Sequence, residues 1–156
     1  MGKFGSLAAN DKPFRVELID PLTNKSIKDK DGNAAYVEVR AADGAVGRKF
    51  DKDERASALE NARKGLVAVD APADPVERNI AKCAALTASW YLVDPDTQEQ
   101  IAVDCTPENA KEFYSLPATN WFIQVWIKAT NNANFITRSA KSSTATQSGT
   151  SDEAAA

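Results

Sequence analysis

The stretch from Trp90 to Ile127 constrains this chain most: W-Y-L-V-D-P-D-T-Q-E-Q-I-A-V-D-C-T-P-E-N-A-K-E-F-Y-S-L-P-A-T-N-W-F-I-Q-V-W-I. It reads as an aromatic helix end, a polar turn and a short apolar strand. A Thr-Pro-Glu helix start follows, then a proline break and a second helix apolar nearly all the way round. Side chains this apolar, in a chain with mean hydropathy −0.41, must be buried in a core or covered by another protein. Nothing in the stretch looks like an active site.

Two segments upstream carry the opposite pattern. Phe14-Arg15-Val16-Glu17-Leu18-Ile19 and Tyr36-Val37-Glu38-Val39-Arg40 alternate apolar and polar, the period of a half-buried strand. Val37 and Val39 share one face. Asp20-Pro21 breaks the first strand, and Thr23-Asn24-Lys25 is a turn cluster. Ser26-Ile27 reads as a short strand arm, and Asp29 to Asn33 as a turn. The region 13–41 is therefore expected to be a small antiparallel sheet.

Helical signals follow. Ala45 to Lys64 is rich in alanine and charge, with Val46, Phe50, Ala58 and Leu59 as its few apolar anchors, so a mostly exposed helix with Gly65 at its C-terminal cap is expected. Val67 to Pro75 reads as a linker. Asp74-Pro75 then opens a central helix, Asp as cap and Pro in the first turn. Its stripe is taken as Val76, Ile80, Cys83, Thr87 and Trp90/Tyr91. A hairpin over 92–104, a helix capped by Thr106, and a last helix from Trp121 to about Ile136, capped by Thr119-Asn120, complete the reading. The last helix shows Phe122, Val125, Trp126 and Ala129 on one face, with Trp121, Ile123 and Ile127 off it. The expected class is α+β: one domain over 13–137, with a sheet at 13–41, a helical part at 45–137, a flexible stretch at 1–12 and a disordered tail at 138–156. The tail from Lys141 has no large apolar residue to offset its ordering entropy.

Composition removes several function classes. The net charge is −3 with no basic run, which argues against a nucleic-acid binder. No apolar stretch approaches the ~18 residues of a membrane span. The start of the chain has no long apolar core of the secretory kind, and the formal Met1-Gly2…Ser6 myristoylation pattern reads as coincidence. The chain has no histidine, which removes Ser-His-Asp and Cys-His catalysis and His-ligated zinc together. Two cysteines, Cys83 and Cys105, do not make a disulfide framework, although a bridge between them stays open. Cys83 is expected to be a small buried residue. Of the acid pairs, Asp29/Asp31 has its glycine, Gly32, at the fourth position of a calcium loop instead of the sixth and Arg40 in place of the closing acid, and Asp94/Asp96 has neither glycine nor closing acid, so both read as turn residues. No cofactor and no metal are expected. A hydrolase working through carboxylates alone is a weak third reading.

The same residues resemble a known family. W-Y-L-V-D-P-D-T-Q-E-Q-I-A-V-D-C-T-P-E-N-A-K-E-F-Y, then Pro117, W-F-I-Q-V-W-I and N-A-N-F-I, are similar to the tail assembly chaperones of long-tailed bacteriophages. Thr106, Glu108, Asn109, Ala110, Trp121, Gln124, Asn134 and Phe135 carry the match, together with the N-terminal L-I-D-P-L-T-N-K-S-I…Y-V-E-V. The resemblance covers about Phe14 to Ile136. It departs at the hairpin, where the family's Gly-Glu-Pro is replaced by Gln98-Glu99-Gln100.

The resemblance implies a non-enzymatic chaperone in the cytoplasm of the infected host. It would bind the tape measure protein, recruit major tail tube subunits and be absent from the mature particle. In some relatives a translational frameshift makes a longer form. Trp121, Ile123, Val125, Trp126 and Ile127 are the residues expected to contact a partner, with Trp121 and Ile127 exposed. An open apolar helix face also allows self-association. The rival reading is a structural virion protein, either a minor tail subunit or a head–tail connector.

Overall fold

A computed structural model describes residues 12–65 and 74–136. The expectations for the N-terminal stretch, the C-terminal tail and most of the Val67–Pro75 linker fall outside the described residues. In chain order the elements are β1 Phe14–Glu17, β2 Ile19–Asp20, β3 Lys25–Ser26, β4 Tyr36–Val39, α1 Ala45–Arg63, α2 Pro75–Leu86, β5 Thr87–Val93, β6 Gln100–Ile101, α3 Pro107–Tyr114 and α4 Trp121–Ala129. A short 3₁₀ helix, Asn132–Phe135, closes the described chain.

The architecture is α+β, with four strands in the antiparallel order β1-β4-β5-β6 and a separate β2-β3 pair. Alternation sets the register. Val16 lies opposite Val37, and Val37 opposite Trp90, so these side chains share one face. Val37 and Val39 are completely buried there, each stabilising the fold by about 1.5–3 kcal/mol. Helices α2, α3 and α4 pack together over this face, and Cys83, Leu86, Ala110, Val125 and Ala129 complete the core.

The opposite face of the sheet is polar. Arg15 is ion-paired to Glu38 at 3.0 Å, and Ser89 donates to the same carboxylate at 2.7 Å. The Arg15 guanidinium lies 3.8 Å from the Tyr36 ring centroid. The Ser89 hydroxyl first, then Arg15, hold the Glu38 carboxyl below its ordinary range.

The central helix is shorter than its stripe implied. It starts as expected, with the Asp74 carboxylate accepting from the Val76 N–H at 2.9 Å. It stops at Leu86, and Thr87 to Val93 forms β5, the strand that joins β4 to β6. Trp90 and Tyr91 therefore belong to the sheet, and the region 45–137 is not helical throughout. The last helix is also shorter, ending at Ala129 instead of Ile136. Thr130 Oγ1 donates to the Trp126 carbonyl, and the Asn131 side chain caps the 3₁₀ turn. Asn120 stands at the N-cap of α4, as expected, but neither it nor Thr119 makes a side-chain capping bond. Thr119 bonds back to the Leu116 carbonyl, and Asn120 Oδ1 accepts from Gln124 Nε2.

Helix α1 is mostly exposed, as expected, but Ala58 and Leu59 are not anchors: both lie in the exposed second half of the helix, and only Val46 and Phe50 of the four are partly buried. Leu59 is open to solvent, and only Gly47 is buried. Gly65 follows it with φ +71°, the left-handed conformation that favours glycine. An ion-pair cluster fixes α1 to α2. Asp51 meets Arg78 at 2.7 Å and Lys82 at 2.9 Å, and Glu54 also pairs with Arg78.

Candidate functional site

An open apolar groove of about 360 Å³ lies between the β5–β6 hairpin and the α3–α4 corner. Trp90 and Leu92 reach it from β5, Ile101 and Val103 from the hairpin, and Phe113 and Leu116 from α3 and the turn beyond it. Trp121 enters from the first turn of α4, and Leu18 and Ile27 from the β2–β3 side.

Local chemistry explains why these side chains meet. The carboxylate of Asp94 organises the hairpin turn by accepting from the Asp96 and Thr97 N–H groups. This places Ile101 opposite Leu92. The Trp90 indole N–H donates to the Val103 carbonyl at 2.8 Å, pinning the chain after β6 to the sheet. Thr106 caps α3 by accepting from the Asn109 N–H at 3.1 Å. Phe113 then meets Trp90 edge-on at 5.7 Å and stacks on Trp121 at 6.0 Å. This aromatic row is a rigid wall. Ile101, Val103 and Leu116 remain exposed around it, so the groove is lined by apolar surface that the chain itself leaves uncovered.

The five residues expected to contact a partner do not form one surface. Trp121 is half-buried in the aromatic row and lines the groove, so it is not the exposed side chain expected. Val125 is fully buried against the sheet and cannot reach a partner; its place on the inward stripe of α4 decides this. Trp126 is half-buried and stacks on Phe122 at 5.6 Å. Ile123 and Ile127 are exposed, as expected, but about 100° per residue of helical rotation puts them on the side away from Val125 and Ala129. Sequence reasoning missed Trp90, Val103, Phe113 and Leu116 as lining residues of one site. The β-branched and aromatic enrichment of T-A-S-W-Y-L-V was the available signal for β5.

No family model matches this chain, and no curated protein or solved structure matches it either.

Other candidate chemistry has structural explanations. Asp29 accepts from the Asp31 and Asn33 N–H groups and from the Tyr91 hydroxyl. The Tyr91 bond, followed by the turn amides, lowers the Asp29 pKa. Both acid pairs contain turn carboxylates bonded to local backbone, as expected. Among the described residues no group of three or more His, Cys, Asp or Glu is placed to hold a metal. Cys83 and Cys105 are free thiols. Cys83 is buried, as expected, and burial pushes its pKa up to about 12, which makes it a poor nucleophile at neutral pH. Burial also raises the Tyr114 hydroxyl well above its ordinary value, where it shares a 2.7 Å hydrogen bond with Thr87. No described helix is long and apolar enough to cross a membrane.

Proposed function

We propose that this chain is a non-enzymatic tail assembly chaperone. It holds a helical segment of a tape measure protein in the cytoplasm of an infected cell until major tail tube subunits polymerise around it. The observation that carries the reading is the open groove walled by Trp90, Phe113 and Trp121 and rimmed by exposed Ile101, Val103 and Leu116. Rigid aromatic anchors beside exposed aliphatic side chains are the chemistry of a site that takes the apolar face of an amphipathic helix.

The hairpin is where the chain departs from the family's pattern. Gln98 stands where the family's hairpin carries glycine, and its φ is +60°. A backbone position of that kind favours glycine over any residue with a Cβ.

The test is co-expression with a tape measure protein, followed by pull-down and size-exclusion chromatography. A soluble complex supports the proposal. If the partner precipitates while this chain elutes alone, the chaperone reading fails. Mass spectrometry of purified particles separates the rival. A chaperone is absent from them, whereas a minor tail or connector subunit is retained.

A further inference from the structure

We infer that the segment entering this groove is an amphipathic helix whose apolar face is flanked by lysine and arginine. The inference rests on the groove being the partner site, and it adds the charge of the occupant. Residues 92–116, which build most of the groove, contain six carboxylates (Asp94, Asp96, Glu99, Asp104, Glu108 and Glu112) and a single cation, Lys111. The whole chain has a net charge of only −3, so negative charge is concentrated in this stretch. Glu99 is bridged to Lys30 at 3.3 Å. Among the described residues the other five carboxylates have no ion-pair partner.

All five adjoin the apolar lining, in the chain or along α3. Glu112 lines the groove itself, and Glu108 lies one turn earlier on the same side of α3. Asp94 and Asp96 flank Pro95, another lining residue, and Asp104 follows Val103. Carboxylates left unpaired beside low-dielectric aromatic surface attract cations and repel anions. Nucleic acid and anionic lipid are therefore disfavoured. A helix with lysine or arginine beside its apolar stripe is favoured. Its basic side chains can lay their methylene stems along Leu116 and Val103 while their heads reach the rim.

The test uses the full chain and two short synthetic helices with the same leucine face, one flanked by lysine and one by glutamate. Binding is read by fluorescence anisotropy at low and high salt. The lysine helix should bind about tenfold tighter at low salt, and the preference should shrink as salt screens the rim. Glu108→Lys with Glu112→Lys should remove most of the preference, since both positions are exposed. Leu116→Ser should weaken the lysine helix without changing any charge. Equal binding of the two helices, an unchanged preference in the charge-reversed variant, or full binding to Leu116→Ser would each overturn the inference. If the long partner co-purifies but the helices show no charge preference, only this inference fails. If the lysine helix is preferred but no long partner co-purifies, the chaperone reading fails and the charge assignment stands.

Discussion

The Gln124 side chain completes the backbone of Ile19, 105 residues away in sequence: its carbonyl accepts from the Ile19 N–H at 2.8 Å, and its amide donates to the Ile19 carbonyl at 2.8 Å. Both partners are partly buried, so losing the amide strands two backbone groups with reduced access to water. The clamp fixes α4 beside Leu18, one end of the groove. Gln124→Leu should cost about 1–3 kcal/mol. Urea denaturation should show a lower midpoint with an unchanged slope. An unchanged midpoint would mean that the clamp contributes nothing.

Gly47 is the one buried residue of α1, and a Cβ there would lie 1.9 Å from the Ala42 carbonyl oxygen. That oxygen is backbone, and the Ala42 N–H is itself bonded to the Ala129 carbonyl at 2.8 Å, so it has little room to yield. Gly47→Ala should destabilise by about 1–3 kcal/mol despite alanine's higher helix propensity. Ala56→Gly, on the exposed side of the same helix, should cost no more than about 1 kcal/mol. Thermal melts of the two variants compare the effects directly.

Gln98 carries the opposite strain. Its φ of +60° puts a Cβ where glycine would be free of it. Gln98→Gly should raise stability by up to about 1 kcal/mol, the relief of left-handed backbone offset by glycine's greater freedom in the unfolded chain. A fall in the melting temperature would show that the Gln98 side chain contributes more than its backbone costs.

Asp51 joins α1 to α2 by meeting Arg78 and Lys82, and Lys82 is only 8% exposed. The hydrogen bond from Lys82, then the nearby Lys82 and Arg78 charges, hold the Asp51 carboxyl below its ordinary range. An unfolded aspartate titrates near 3.9. The stability this shift contributes is therefore fully present above about pH 4 and is lost as pH falls through the lower folded value. Asp51→Asn should lower stability at neutral pH and flatten part of the acid limb of the stability profile. Equal acid sensitivity in the variant would contradict this assignment.

What could be read from sequence divides along physical lines. Alternation at Phe14–Glu17 and Tyr36–Val39 gave a correct pair because one face of each strand is buried and the other is wet. Asp74-Pro75 and Thr106-Pro107 marked helix starts because capping acts within a single turn. β5 was hidden because α2 runs straight into it with no glycine or proline between them. Thr87 and Trp90 also continue the helical spacing of Ile80 and Cys83. Thr87 prolongs the ambiguity by donating to the Cys83 carbonyl at 2.8 Å, four residues back, as a helical side chain can. The groove depended on that strand. With Trp90 assigned to a helix, no local pattern could bring it to Val103, Phe113 and Trp121, and the surplus apolarity of α4 was the visible clue instead.

In the proposed function the partner enters this groove and does not dock on the outer face of α4. The most direct measurement compares capture of a tape measure protein, the proposed partner, by the wild type, by Leu116→Glu and by Ile127→Glu. Both substitutions introduce a carboxylate at an exposed aliphatic position, so effects on folding are matched and can be checked by circular dichroism. Leu116→Glu should lose the partner and Ile127→Glu should keep it. Retention by Leu116→Glu with loss by Ile127→Glu would contradict the groove assignment and put the binding face on α4.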